Sequence, residues 1–185
     1  MNTALKAGFI LLLVTLFGCG SAGIKDVIIE QPKLVPEQFF DGDLTASGVI
    51  KNRSGQVIRS FTAAIKAYWI DGIGTLEEDF VFNNGETQRR VWTLTPRPDG
   101  SYTGTADDVT GSAIIEVAGN QMILDYVLQV PYKDGTLDIR IDDRMYLVEE
   151  GLLLNESRMT KFGFTVGYIL LSITQNDRQA LARVP

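Results

Sequence analysis

A chain of 185 residues with 17 Lys+Arg, 23 Asp+Glu, one Cys and no His is long enough for one domain or two small ones, and its 45% apolar and 22% charged content is globular, not disordered. One cysteine excludes an internal disulfide framework and a Cys-rich zinc site, and the lack of histidine removes the usual general base, the commonest metal ligand and every imidazole triad. A net charge of −6 argues against a nucleic-acid partner, which needs cations to meet phosphates.

Residues 1–18 read as a secretory signal. Lys6 is their only charge, and the run Ala7 to Phe17 has one polar member, Thr15. A spanning helix needs about 20 apolar residues, so this run fits a signal segment better than a membrane anchor. It ends in Leu16-Phe17-Gly18-Cys19, which matches the bacterial lipoprotein signal: a Leu three residues back and a small residue directly before the Cys. Cys19 is therefore expected to carry lipid, and Gly20-Ser21-Ala22-Gly23 to serve as a flexible tether. Cleavage before Cys19 would leave 167 residues with a net charge of −7. Neither Gly20 nor Ser21 is the Asp that retains many lipoproteins in the inner membrane. The expected location is thus the outer membrane, facing the periplasm, with the membrane as partner through the N-terminal anchor.

Residues 19–38 are expected to be tether and extended chain, because Pro32 and Pro36 discourage helix. Residues 39–176 read as one β-domain, and the tail 177–185 as a single turn of helix at most. Turn signals recur at Asn52-Arg53-Ser54-Gly55, Asp71-Gly72-Ile73-Gly74, Asn83-Asn84-Gly85, Arg97-Pro98-Asp99-Gly100, Asp108-Val109-Thr110-Gly111, Ala118-Gly119-Asn120, Lys133-Asp134-Gly135 and Glu149-Glu150-Gly151. Between them the period is 2. Phe61, Ala63, Ile65, Ala67 and Trp69 form one such face, and Met122, Leu124, Tyr126, Leu128 and Val130 another. About ten strands joined by short links predict an all-β, antiparallel up-and-down meander, as a lipocalin-like barrel or strongly curved half-barrel. Greek-key crossovers would need a longer link.

The densest charge lies in Glu77-Glu78-Asp79 and Arg89-Arg90. A two-residue turn at Asn84-Gly85 would set Asp79 opposite Arg90. A three-residue turn would set Asp79 opposite Arg89 and Glu78 opposite Arg90. Either arrangement gives a cross-strand ion pair on a wet face, or an interior cluster that holds the polar end of a ligand. The acidic pairs Asp107-Asp108, Asp142-Asp143 and Glu149-Glu150 cannot be shared-proton dyads, since strand neighbours point to opposite faces. Ligand-binding candidates are Asp79, Arg89, Arg90, Trp92, Tyr102, Asp107, Tyr126 and Tyr146. Most aromatics are expected in the core, with a subset lining a pocket. No Gly-x-Ser-x-Gly elbow, Walker loop or EF-hand loop is present, so no catalytic residue, metal ligand or cofactor is assigned.

The stretch from about Pro32 to Ile173 resembles a proteobacterial family of small lipoproteins defined by a domain of unknown function. The resemblance rests on Phe39-Phe40-Asp41-Gly42, Leu76-Glu77-Glu78-Asp79-Phe80, Gly85 to Trp92, Tyr102 to Val109, Asp142-Asp143-Arg144-Met145-Tyr146 and Met159 to Gly163. That family usually has an aromatic where Arg144 stands. It implies a lipocalin-like barrel and no particular activity. The similarity to true lipocalins concerns architecture only: Gly42-Asp43-Leu44 has Leu where their early signature has Trp.

The leading expectation is an anchored barrel that binds a lipid-like or amphiphilic molecule and is not an enzyme. The first rival is a structural or assembly partner of an envelope protein, docking by a strand edge or a charged face. The second is a hydrolase using carboxylates such as Glu77, Asp107 and Asp142.

Overall fold

The structure, a computed structural model, describes Gly23, Ile24, Ile29 and residues 31–176. The signal segment, Cys19, most of the glycine-rich tether and the 177–185 tail lie outside the described residues. A short helix α1 (Pro36–Phe39) precedes ten strands: β1 (Gly42–Asn52), β2 (Val57–Ile70), β3 (Ile73–Phe82), β4 (Thr87–Pro96), β5 (Tyr102–Thr105), β6 (Val109–Ala118), β7 (Gln121–Tyr132), β8 (Gly135–Glu149), β9 (Leu152–Lys161) and β10 (Phe164–Gln175). Each strand pairs antiparallel with its neighbours in sequence, and β1 pairs with β10, so the meander closes into a barrel. In the closing seam Ala46 lies opposite Ile173 and Ile50 opposite Ile169. Closure leaves no free strand edge, which removes edge pairing as a route to an envelope partner. Among the described residues, every strand pairing lies within 31–176, and the ring of ten strands is closed within that stretch.

The period-2 pattern sets what points inward. Ala63, Ile65 and Ala67 of β2, Leu124 of β7 and Ile141 of β8 are buried in the core. Outward positions carry charge: Glu77, Asp79, Arg89, Asp125, Arg140 and Arg158 all lie in exposed or half-buried ion pairs on the wall. This is the inverse of a membrane-spanning barrel, whose outer band is apolar. No helix among the described residues is long and apolar enough to cross a membrane.

The two ends differ. The expectation of extended chain up to residue 38 fails at Leu34–Phe40, which fold into a plug. Proline opposes helix in its interior but suits the first turn, where its missing N–H costs nothing, and Pro36 sits there. Leu34, Phe39 and Phe40 are almost fully buried. The plug is tied to the rim of the barrel. The Trp69 indole N–H donates to the Phe40 carbonyl at 2.8 Å, the Leu34 N–H to the Gly119 carbonyl at 2.8 Å, and the Gln175 amide to the Gln38 and Phe39 carbonyls. The opposite end carries the turns β1–β2, β3–β4, β5–β6, β7–β8 and β9–β10 and, among the described residues, has no such cover. Interior side chains nearest to it, including Phe80, Phe82, Leu128, Val130, Leu137 and Met159, are only half-buried.

The inner wall makes room for rings where it carries glycine. A Cβ on Gly48 would lie 2.6 Å from the Leu171 Cβ and 2.7 Å from the Phe61 ring. A Cβ on Gly104 would lie 2.9 Å from Ile115 and 3.2 Å from the Trp92 ring. Overpacking of this kind costs about 1–3 kcal/mol. We expect Gly48→Ala to destabilise the protein by about that amount in urea unfolding, and the exposed neighbour change Ser47→Ala to stay within about 0.5 kcal/mol of wild type.

Candidate functional site

Arg90 of β4 points into the barrel beneath the Phe80 ring, with its guanidinium carbon 5.6 Å from the ring centroid. Asp108, in the β5–β6 turn, takes the Nε and Nη2 side of the guanidinium: Nε lies 3.0 and 2.9 Å from the two carboxylate oxygens, and Nη2 lies 2.8 Å from Oδ2. Glu78 of β3 stands directly across the pair of strands, 3.8 Å from Nη1. On the other side of the interior, the Tyr126 hydroxyl of β7 donates to Asp143 of β8 at 3.0 Å. Ser157 of β9 hydrogen-bonds Asp143 as well. The Asn155 amide nitrogen is 3.4 Å from the Ser157 hydroxyl and 3.5 Å from Asp143. Asn155 is only 4% exposed, and its Oδ1 is buried with no partner. Trp92 meets the Tyr126 ring edge-on at 5.3 Å and joins the two halves of the cluster.

Burial governs the charges. Desolvation pushes the Glu78 carboxyl up to about 7, against the pull of Arg90 and with help from Asp108 and Asp143. Desolvation also raises Asp143, although hydrogen bonds from Ser157, Tyr126 and Asn155 partly offset it. Tyr126 is held well above the usual phenol range by burial and by Asp143. Burial works against the charge of Arg90, but the Asp108 hydrogen bonds and the nearby Tyr126 and Glu78 outweigh it and keep the guanidinium charged. The interior therefore holds three carboxyl groups around one guanidinium and is rich in acceptors. Above it, toward the open end, Phe61, Phe80 and Phe82 form an apolar cluster with centroids 5.7 to 6.3 Å apart.

Four sequence candidates meet inside the barrel: Arg90, Trp92 and Tyr126 in the cluster, and Tyr102 beside the plug, its hydroxyl donating to Glu37. The other four lie outside. Asp79 and Arg89 pair with each other at 3.0 Å on the outer wall. Tyr146 occupies an outward position of β8, and Asp107 is exposed in its turn. The carboxylates considered for hydrolysis also sit apart on the exterior. Glu77 is bound by Arg89 at 2.6 Å, Asp142 by Arg158 at 2.9 Å, and Asp107 lies at the turn. Glu78, Asp108, Asp143 and Asn155 are the interior members that the sequence pattern did not single out. Each acid is one half of an adjacent acidic pair, or of the 77–79 run, that straddles the wall. The adjacency was visible, and only the register tells which half faces inward.

Two grooves stand out among the described residues. One of about 800 Å³ spans β9, β10, β1, β2 and β3 and is lined by outward Leu154, Leu170, Val49, Thr62 and Val81 together with inward Phe61 and Phe82. The other, of about 340 Å³, is polar, and Gly23 and Ile24 of the leading segment line it with Asp125, Arg140, Asp142 and Arg158. Among the described residues, no group of three or more His, Cys, Asp or Glu converges as metal ligands.

The fold and site together define a closed antiparallel up-and-down barrel, plugged at one end, with a polar cluster set in an apolar interior. The chain belongs to the family described as Protein of unknown function (DUF3833), whose model matches residues 13–175. No curated protein matches it in sequence. Among solved structures it is similar to the S-type phycobiliprotein lyase from Guillardia theta, at 12% identity over 77% of this chain and 93% of that one, with a TM-score of 0.50. It is also similar to EF1p2_mFAP2b bound to DFHBI (7% identity, 75% and 95% covered, TM-score 0.41). A de novo designed fluorescence-activating β-barrel is similar as well (10% identity, 77% and 99% covered, TM-score 0.39).

Glu78 makes the stability pH-dependent with a definite sign. Its folded pKa, about 7, lies above the ordinary value of 4.5, so between those values the folded state holds a proton that the unfolded state has released. Stability contributed this way is present at low pH and is lost as pH rises through about 7. Asp143 acts in the same direction. We expect urea-unfolding stability to fall between pH 5 and pH 8, by up to about 3 kcal/mol from Glu78. Glu78→Gln should flatten most of that slope and leave the Asp143 share.

Proposed function

We propose that this protein is a lipid-anchored binding barrel of the outer membrane, facing the periplasm, and that its ligand is an amphiphile whose polar end donates hydrogen bonds. The observation that carries the reading is the acceptor-rich cluster of Glu78, Asp108, Asp143 and Asn155 beneath half-buried apolar walls at the open end. An apolar tail suits Phe80, Phe82, Leu128 and Met159. A hydroxyl, amide or amine suits a Glu78 carboxyl close to neutrality and the unpartnered Asn155 oxygen. An anionic head fits less well, because Asp108 already occupies the Arg90 fork and brings its own negative charge. The barrel architecture shared with a phycobiliprotein lyase is compatible with small-molecule binding. The role proposed is binding, not catalysis: the interior carboxyl groups are each tied into the Arg90 or the Tyr126–Ser157 contacts and hold the site in shape.

Displacement of the neutral dye N-phenyl-1-naphthylamine from the purified protein tests this. A long-chain monoacylglycerol or alkylamine is expected to displace it more strongly than the fatty acid of equal chain length. Asn155→Leu is expected to weaken the monoacylglycerol by roughly fivefold or more, since a lost buried hydrogen bond costs on the order of 1 kcal/mol or more. Failure to bind the dye, or a preference for the fatty acid, would sink the reading.

The anchor is tested separately. Mass spectrometry of the N-terminal peptide of protein purified from membranes should show acyl chains on Cys19. Cys19→Ala should accumulate a precursor that retains residues 1–18. An unmodified Cys19 in membrane-purified protein would overturn it.

A further inference from the structure

The turns of the open end are not alike. Three adjacent ones, β7–β8, β9–β10 and β1–β2, carry exposed apolar side chains flanked by cations. Phe162 is 86% exposed, Phe164 72% and Tyr132 53%, and Val57 and Ile58 are more than half exposed. Lys161 lies over the Phe162 ring at 4.8 Å and Lys133 over the Tyr132 ring at 5.3 Å. The two remaining turns, β3–β4 and β5–β6, carry Glu86 and Asp107, and on the ring-bearing side Asp134 is the acid of the β7–β8 turn, beside Lys133.

Phe162 is also strained. It has φ 51°, followed by Gly163 at φ 80°. That is the left-handed turn geometry in which Asn or Gly would cost least and a bulky ring is rare. Asp71 and Lys133 share this φ at their own turns, but Phe162 places a large ring there with only Lys161 over its face and most of its surface in solvent.

We infer that this side of the open rim docks on a phospholipid surface that carries anionic lipid, with the Phe162, Phe164 and Tyr132 rings entering the headgroup region and the barrel mouth facing the bilayer. Aromatic rings with lysines beside them suit that interface, where ring bodies are desolvated and ammonium groups meet phosphates. The docking rests on the rim's own chemistry and not on the anchor at Cys19.

The test uses the chain from Gly20 onward, which holds the plug and every strand but no Cys19, so its outcome is independent of lipidation. It is co-sedimented with phosphatidylethanolamine–phosphatidylglycerol vesicles and with phosphatidylcholine vesicles. The expected result is partition onto the anionic vesicles that weakens as salt is raised. The double change Phe162→Ser and Phe164→Ser should reduce it by roughly tenfold or more. The control changes Ile70→Ser and Ile73→Ser, on an exposed hairpin at the plugged end, should leave it unaltered, with unchanged Tm in both variants. No partition of the wild-type chain overturns the inference. So does equal loss in the two variants, or a dimer in sedimentation that the Phe162 change dissolves, which would mean that the rim is covered by a second copy.

Discussion

The pairing of β1 with β10 is the constraint on which the rest depends. Once the sheet closes, each residue's direction is fixed by register, and every inward side chain must share one narrow volume. Rings such as Phe61 and Trp92 fit because the strand beside each is bare at Gly48 and Gly104. The same closure removes the edges through which an open meander would stack on another chain. What remains for interaction is the outer faces, the two grooves and the two ends.

Within that volume the Glu78–Arg90–Asp108 and Tyr126–Asp143–Asn155 contacts are costly. A buried charge pair rarely adds net stability over apolar packing of equal volume, and here one carboxyl is driven to near neutrality by its surroundings. Simple core filling would be served as well by Leu or Met at these positions. The cluster is nevertheless nearly complete in its hydrogen bonds, with Asn155 Oδ1 unmet, and nearer the mouth Arg59 Nε is also buried without a partner, its guanidinium over the Phe82 ring. A polar network with one acceptor unmet, lying below half-buried apolar walls, is organised as a ligand's polar terminus would require.

Much of the fold was legible in the sequence. The turn signals and the period of 2 give ten strands and a meander, and the three-residue reading of the Asn83–Gly85 turn is the pairing found, with Asp79 opposite Arg89 and Glu78 opposite Arg90. The interior was less legible. Asp79, Arg89 and Tyr146 differ from Glu78, Arg90 and Met145 by a single position, and that position decides between solvent and core. No local signal fixes it in a strand whose outer face also carries Thr, Val and Tyr. The plug escaped for another reason. Pro36 reads as a helix breaker in isolation and becomes a helix start only because Phe39 and Phe40 have a barrel end to cover.

The asymmetry of the ends gives the barrel a direction. Leu34 to Phe40 cover one end and are tied to it by hydrogen bonds with Gly119, Trp69 and Gln175, whereas among the described residues the opposite end has no such cover. The leading chain does not continue away from the covered end. Ile29 accepts a hydrogen bond from Asn120 beside the plug, and Gly23 and Ile24 line a groove midway along the outer wall with Asp125, Asp142 and Arg158. The covered end and the ring-bearing rim opposite it are separate features, and each is set by a few residues outside the repeating strand pattern: Leu34, Phe39 and Phe40 at one end, Tyr132, Phe162 and Phe164 at the other.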